Sequence, residues 1–409
     1  MSPVLTESPV HMTLTDEIKA LNDAHVINTY GERNVALSRG EGMRLWDAEG
    51  KEYLDFFAGI AVCNLGHCHP AVTQAICDQA KKLVHVSNLY YIQPQALLAA
   101  ALAKHTFADK WFFCNGGAEA NEAAIKLVRR YWDKQGTPRP NIITAQQSFH
   151  GRTIATVTAT GQPKYHDGFQ PLVPGFSYVP FNDIDALKAA ITPEVGAIML
   201  EPIQGEGGVR VPEESYWKAV RALCDEHNIL LILDEVQTGL GRTGPLFAHQ
   251  GYGITPDIMT LAKGLGNGVP IGAMGCTDAA ATGFDVGSHA CTFGGNPLSS
   301  AAAVATIGAL TAPGFLENAQ ENGRYLFERL AEIADTCTSV VEVRGKGLMV
   351  GIEFAQPVAP LIKMLIESGI ICGPAGPNVL RFLPPLIVEK ADIDRVISLL
   401  KVSLGALKW

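Results

Sequence analysis

Charge is scarce in this chain, and basic charge is scarcer still. Asp, Glu, Lys and Arg make up 18% of the 409 residues, with 32 Lys plus Arg against 41 Asp plus Glu and a formal net charge of −9. A nucleic-acid groove or an anionic membrane surface needs a basic face, so neither is expected as the main partner. No apolar run approaches the roughly 18 residues of a membrane-spanning helix. The most suggestive stretch, Leu298–Leu310, is short and rich in Ala and Ser. The first twelve residues read as a frayed start without an apolar signal segment. Nine cysteines, an odd count scattered from Cys63 to Cys372, do not make a disulfide framework. Together these features read as a reduced, cytoplasmic protein. Internal repeats and low-complexity linkers are missing as well. What is plentiful is apolar mass, 47%, which excludes disorder and requires a large buried core. The 41 glycines suggest many tight turns or close backbone approaches to a ligand.

From about residue 70 to 310, short apolar runs alternate with helical patterns, the signature of a βαβ architecture with a largely parallel sheet. Strands are expected at 111–114, 141–145, 195–200, 229–234 and 257–261. The loop Asn115-Gly116-Gly117 leads into a helix from Ala118 to about Trp132, in which Ala120, Ala124, Leu127, Val128 and Tyr131 recur at helical spacing. A second amphipathic helix is expected over Glu214–His227. After residue 310 the pattern changes to a helix at 315–335, strands at 339–344 and 348–354, a helix at 357–368, a strand at 379–383 and a last helix from about Ala391. The expected organisation is a large domain over 71–310, a smaller α+β domain over 311–409, and an N-terminal segment, 1–70, packing with the smaller one.

Four places carry possible chemistry. Asp234 directly follows an apolar strand, at the carboxyl edge where open α/β sheets bind ligands, although a capping or turn acid reads the same way. Lys263, just past the next strand and flanked by Leu261, Ala262 and Gly264, has little surface character; desolvation there would make it a nucleophile or base. Asn115-Gly116-Gly117-Ala118 opens a helix with free N–H groups and glycines, a phosphate site or a plain turn. Ser148-Phe149-His150-Gly151-Arg152-Thr153 sets an aromatic, a histidine and an arginine after a strand. Two further patterns are set aside. Gly239-Leu240-Gly241-Arg242-Thr243-Gly244 matches G-x-G-x-x-G, but Pro245 and the glycines beyond make a poor helix, so a dinucleotide is not expected. Cys63, His67, Cys68 and His69 cannot easily converge on one tetrahedral ion, so no metal is expected. Taken jointly, a strand-end Asp, a buried Lys, a glycine loop and an aromatic shelf match one cofactor, pyridoxal 5′-phosphate. That cofactor needs a Schiff-base lysine, a carboxylate for its pyridine nitrogen, an anion cradle and a stacking ring.

The stretch 231–239 (LILDEVQTG) with 257–264 (DIMTLAKG) resembles the signature of the class III pyridoxal-phosphate aminotransferases. GHCHP (66–70), SFHGRT (148–153), EPIQGEGG (201–208), TFGGNP (292–297) and RFLPPL (381–386) extend the resemblance from about residue 30 to the end. Within the family, Asn28–Gly31 and FAGIAV (57–62) are most similar to the acetylornithine aminotransferases. The resemblance implies the aspartate-aminotransferase-like fold (fold type I), an α/β large domain with a mostly parallel central sheet plus a smaller α+β domain. It implies that Lys263 carries the cofactor and shuttles a proton, and that Asp234 pairs with the pyridinium nitrogen. Gln237 would bond near the ring hydroxyl, Phe149 would stack on the ring, and Gly117 and Ala118 would give N–H groups to the phosphate. Thr292 would reach the phosphate of the other subunit, which implies a homodimer with its active site at the subunit interface. Arg152 would bind a substrate carboxylate, and Arg381 the α-carboxylate of glutamate or 2-oxoglutarate, with Glu206 pairing it while the amino donor reacts; a plain structural ion pair is the alternative.

Three departures bear on the substrate. Gly116 stands where many relatives have Ser, which removes a hydroxyl donor but leaves the backbone N–H groups. Cys291 replaces the usual Ser or Thr near the substrate and would weaken polar contact there. Ile60 stands where ornithine δ-aminotransferases place a Tyr, which argues against unacetylated ornithine. The implied activity is transfer of the δ-amino group of N2-acetyl-L-ornithine to 2-oxoglutarate. Succinylornithine, N-succinyldiaminopimelate or 4-aminobutyrate are alternative donors. Decarboxylase, aminomutase and non-catalytic relatives form more distant readings on the same scaffold.

Overall fold

The computed structural model describes residues 12–31 and 33–409. Apart from Met12, the start expected to be frayed lies outside them. Seven strands form the central sheet, in spatial order Lys110–Cys114, Gly272–Cys276, Ile258–Leu261, Leu230–Asp234, Val195–Leu200, Asn141–Ala145 and Phe176–Val179. The last five run parallel, while Gly272–Cys276 is antiparallel to both its neighbours. Every residue of Val195–Leu200 is buried, as a central strand covered on both faces must be.

Strand alternation decides which cover each side chain meets. Leu231 and Leu233 pack with Ile198, Leu200, Trp217 and Val220 under the helix Glu214–His227. Ile232 and Ile258 face the other way, onto Ala124, Leu127, Val128 and Trp132 of the helix Gly117–Lys134. Asp234 and Thr260 share the parity of Ile232 and Ile258, so both face the N-terminal turns of that helix.

The expected strands and helices after residue 110 are present, with ends shifted by one or two residues. Two strands of this sheet escape sequence pattern. Gly272–Cys276 has no β-branched residue, because close neighbours require small ones. A Cβ on Gly272 would lie 2.5 Å from the Gly116 carbonyl oxygen, and one on Gly275 would lie 2.6 Å from the Trp111 ring. Phe176–Val179 is a short edge strand of four residues.

A second sheet orders Val340–Lys346, Met349–Phe354, Val379–Phe382 and Gly373–Pro374, all antiparallel. A third joins Leu37–Glu41, Arg44–Asp47 and Glu52–Asp55 to Ile370–Ile371, the last pair in parallel. Among the described residues no single helix is long and apolar enough to cross a membrane. The pair Pro297–Leu310 and Phe315–Ala334 passes by length and composition only together, bent by 72°. Ala302, Ala303, Ile307 and Leu310 of the first are buried in the main core.

Candidate active site

Where the parallel strands end, a cavity of about 450 Å³ opens. Its walls include Asn115 and Gly116 from the loop before the helix Gly117–Lys134, Gly117 and Ala118 from its first turn, Phe149 to Arg152, Asp234, Gln237 and Lys263. Asp234 is fully engaged on its sheet side. Its Oδ2 accepts from Asn121 Nδ2 at 2.8 Å and lies 2.8 Å from His150 Nδ1, while Oδ1 accepts from the Val236 N–H at 3.0 Å. Asn121 in turn donates to the His150 carbonyl and accepts from the Thr260 hydroxyl at 2.7 Å, so the network ties together helix, loop and two strands.

Lys263 begins a 3-10 turn with φ 44°, immediately beyond Ile258–Leu261. Burial pushes its ammonium down to about 8 from the ordinary 10.5; Arg381 adds to the fall, and Glu206, Asp234 and Glu201 resist it. An amine so shifted is a nucleophile near neutral pH. Covalent capture of pyridoxal phosphate by apoenzyme is therefore expected to quicken with rising pH, with a midpoint near 8. A stopped-flow pH series reads this; a midpoint near 10.5 would count against it.

The helix Gly117–Lys134 begins without a capping side chain, so its first N–H groups are free to meet an anion at the cavity wall. Close packing fixes this loop, since a Cβ on Gly117 would fall 2.8 Å from Val236. Phe149 lines the wall, and Arg152, exposed, lies 3.9 Å from the centre of the Tyr165 ring and 5.4 Å from that of Phe149.

At one side Arg381, 1% exposed, donates from Nη1 to Glu206 Oε1 at 2.7 Å and to Gln237 Oε1 at 3.0 Å. Burial alone would raise the Glu206 carboxyl. The charge and hydrogen bond of Arg381, helped by Lys263 and Gln237, more than reverse that and hold it below the usual range.

Not every residue singled out in the sequence meets this cavity. Cys291 and Thr292 line a second one, of about 330 Å³, with Glu119, Glu122 and His289; Asn115 borders both and donates to Cys291 Sγ at 3.2 Å. Ile60 sits in a left-handed turn at φ 67°, 37% exposed, and it is Val62 that reaches the wall. His67 pairs with buried Asp55 at 2.7 Å, and among the described residues no three His, Cys, Asp or Glu are grouped to hold a metal.

Sequence pattern alone assigns no role to Asn121, Glu201 or His150. Asn121 stands in the apolar stripe of its helix, with Ala124, Ile125 and Val128, and a lone amide there is the usable signal. Glu201 directly follows the apolar strand Val195–Leu200, much as Asp234 ends Leu230–Asp234. Its carboxylate accepts from the Phe149 N–H at 2.9 Å and the Gly205 N–H at 3.4 Å, and burial pushes it up to about 7.

Comparison with known proteins agrees with this geometry. An acetylornithine aminotransferase of Synechocystis sp. is 51% identical, covering 94% of this chain and 92% of that protein. The crystal structure of N-acetylornithine aminotransferase from Stenotrophomonas maltophilia K279a is 39% identical, with a TM-score of 0.82 over 95% of this chain and 98% of that one. That of ornithine aminotransferase from Toxoplasma gondii ME49 is 33% identical, with a TM-score of 0.94 over 97% of this chain and 96% of that one. The family model described as "Aminotransferase class-III" matches residues 27–404, and the chain belongs to that family, whose members are pyridoxal-phosphate enzymes of the type I fold.

Proposed function

We propose that this chain moves the δ-amino group of N2-acetyl-L-ornithine to 2-oxoglutarate, giving N-acetyl-L-glutamate 5-semialdehyde and L-glutamate, a step of arginine biosynthesis. The observation that carries the reading is the Glu206–Arg381 pair, both members of which bond Gln237 in the wall of the Lys263 cavity. With Glu206 in place, the wall offers no net charge to a donor whose reacting end is an amine. With Glu206 turned aside, the same wall offers a guanidinium fork to a dicarboxylate. Relatives near 50% identity carry the acetylornithine name. Ile60, in place of an ornithine-gripping Tyr, agrees with the acetylated donor.

The cavity fits pyridoxal 5′-phosphate, which when bound supplies an electron sink for the carbon that loses its proton. Lys263 would hold it covalently and, once displaced, carry that proton on its Nζ. Asp234, braced by Asn121 and His150, would hold the pyridine nitrogen. Gln237 would bond near the ring hydroxyl, Phe149 would cover one face, and the Gly117 and Ala118 N–H groups would take the phosphate. Arg152, at the open side, would orient the donor's carboxylate.

The working form in this reading is a cytoplasmic homodimer, with the chain divided at about residues 70 and 310. Thr292 is exposed away from the Lys263 cavity, so it would act on the partner's phosphate, with Cys291 and Ile60 lining the substrate entrance. An apolar patch nearby supports an interface: Leu89 is 84% and Tyr91 106% exposed, and Asn88 ties this segment to the Cys291 and Gly294 carbonyls. All nine cysteines are free thiols, as a reducing compartment allows.

Half-reactions on purified yellow enzyme test the donor. Bleaching by acetylornithine alone, reversed by 2-oxoglutarate, is expected, with 4-aminobutyrate and ornithine slower. Faster bleaching by 4-aminobutyrate would keep the chemistry and overturn the donor.

A further inference from the structure

We propose that Arg242 is a positioning residue for the acceptor half of the reaction, fixing where Arg381 stands relative to Lys263. The proposal rests on Arg381 taking the acceptor's carboxylate. Arg242 belongs to the glycine-rich run 239–244, which lies outside the wall of the Lys263 cavity. The run turns tightly, with Gly241 at φ 85° and Gly244 at φ 113°, and only the five-residue helix Ala248–Tyr252 follows. Its arginine points inward and is 0% exposed.

Three segments far apart in sequence meet on that one guanidinium. Nη1 donates to the Leu348 carbonyl at 2.9 Å and the Pro384 carbonyl at 2.5 Å, and Nη2 donates to Asn64 Oδ1 at 2.7 Å. The Arg242 carbonyl accepts from the Leu348 N–H at 3.0 Å, so that contact is made in both directions. Asn64 donates to the Leu240 carbonyl at 2.9 Å and packs on Gly264, beside Lys263; a Cβ there would fall 2.6 Å from its amide nitrogen.

Those carbonyls bracket Arg381. Pro384 follows it by three residues, just past the end of its strand Val379–Phe382. Leu348 precedes Met349–Phe354, the strand on which Gly351 pairs with Arg381. Arg242 itself extends the loop after Leu230–Asp234, so it links the sheet edge that carries Asp234 to the strand that carries Arg381. Among the described residues no carboxylate bonds it directly; burial lowers it to about 9, with Asp55 opposing. A cation buried among carbonyls is a costly way to fill space, and its planar fork fixes several acceptors at once, as an ammonium cannot.

The test uses holoenzyme and single-turnover rate constants, which do not depend on the fraction of molecules folded. In Arg242→Lys, the half-reaction with L-glutamate, which uses Arg381, is expected to slow about tenfold in kcat/KM through a raised KM, while the half-reaction with acetylornithine stays within about twofold. A second variant disturbs the same seam from its other side and spares the guanidinium. Gly347 has φ 59°, and an added Cβ would fall 2.7 Å from the Arg242 carbonyl oxygen. Gly347→Ala is expected to show the same split. Equal slowing of both half-reactions, or no slowing of either, in the variant that folds would overturn the proposal. Wild-type enzyme silent toward acetylornithine would count against the donor instead, and the split would then be read with 4-aminobutyrate on the donor side.

Discussion

Lys263→Ala is expected to lose turnover by about 10⁴-fold or more, because in the proposed mechanism one side chain is both the covalent anchor and the proton carrier. Borohydride treatment should leave no cofactor attached to the denatured variant, in contrast to wild type. Loss of the fold is not expected to explain the loss of rate. The ammonium pKa falls to about 8 in the folded chain from the ordinary 10.5, so the charged form is penalised by folding. Between those values the unfolded chain binds the extra proton, so wild-type apoenzyme gains stability as pH rises through this window and bears the whole penalty below 8. The alanine protein lacks the penalty. Its melting temperature should therefore exceed that of wild-type apoenzyme at pH 7 and converge with it above pH 10.5. An alanine protein with wild-type turnover would end the mechanism.

Asp234→Asn should cost about 10³-fold in kcat, the scale of removing one charge aimed at the reacting system. Here a stability loss does accompany it. Asn121 Nδ2, the Val236 N–H and, with the carboxylate as acceptor, His150 Nδ1 all donate to Asp234. An amide has one accepting atom and one NH2, so at least one of these donors would face another donor. A buried donor left unmatched costs about 1–3 kcal/mol. The expected result is a slower enzyme with a lower melting temperature. Asp234→Glu, which keeps the charge but lengthens the side chain, should lose rate as well. An asparagine variant with wild-type kcat would remove Asp234 from the site.

Both residues are visible in the sequence for one reason: each lies at the end of an apolar run long enough to be a buried strand, where the sheet must stop and a ligand can begin. The same reasoning applies to Glu201, which follows a strand buried at every residue, yet within EPIQGEGG it reads as one more matching letter. Local period also predicts four of the five parallel strands and the helices Gly117–Lys134, Glu214–His227, Phe315–Ala334 and Lys390–Leu407, since each is set by residues within one or two turns of one another. It fails for Gly272–Cys276, whose composition answers to Trp111 and the Gly116 loop, over 150 residues earlier in the chain. It fails for Arg242 for the same cause. The pattern around it predicts a turn, and nothing local shows that residues 64, 348 and 384 converge on its side chain. The partner of the Glu206 carboxylate lies equally far away, at Arg381, and only the family resemblance suggested it.

The parallel pairing of Glu52–Asp55 with Ile370–Ile371 sets an order of events during synthesis. A ribosome has released the first of these strands long before the second exists, and no nearby strand can stand in for it in parallel register. The central sheet, complete once residue 276 has emerged, can assemble while the N-terminal hairpin still has an open edge. Closing that edge spans more than 300 residues, the kind of non-local contact that forms slowly and leaves strand edges exposed to other chains in the meantime. Nascent chains stalled before residue 370 should therefore be the aggregation-prone population, and residues 370–409 should govern yield.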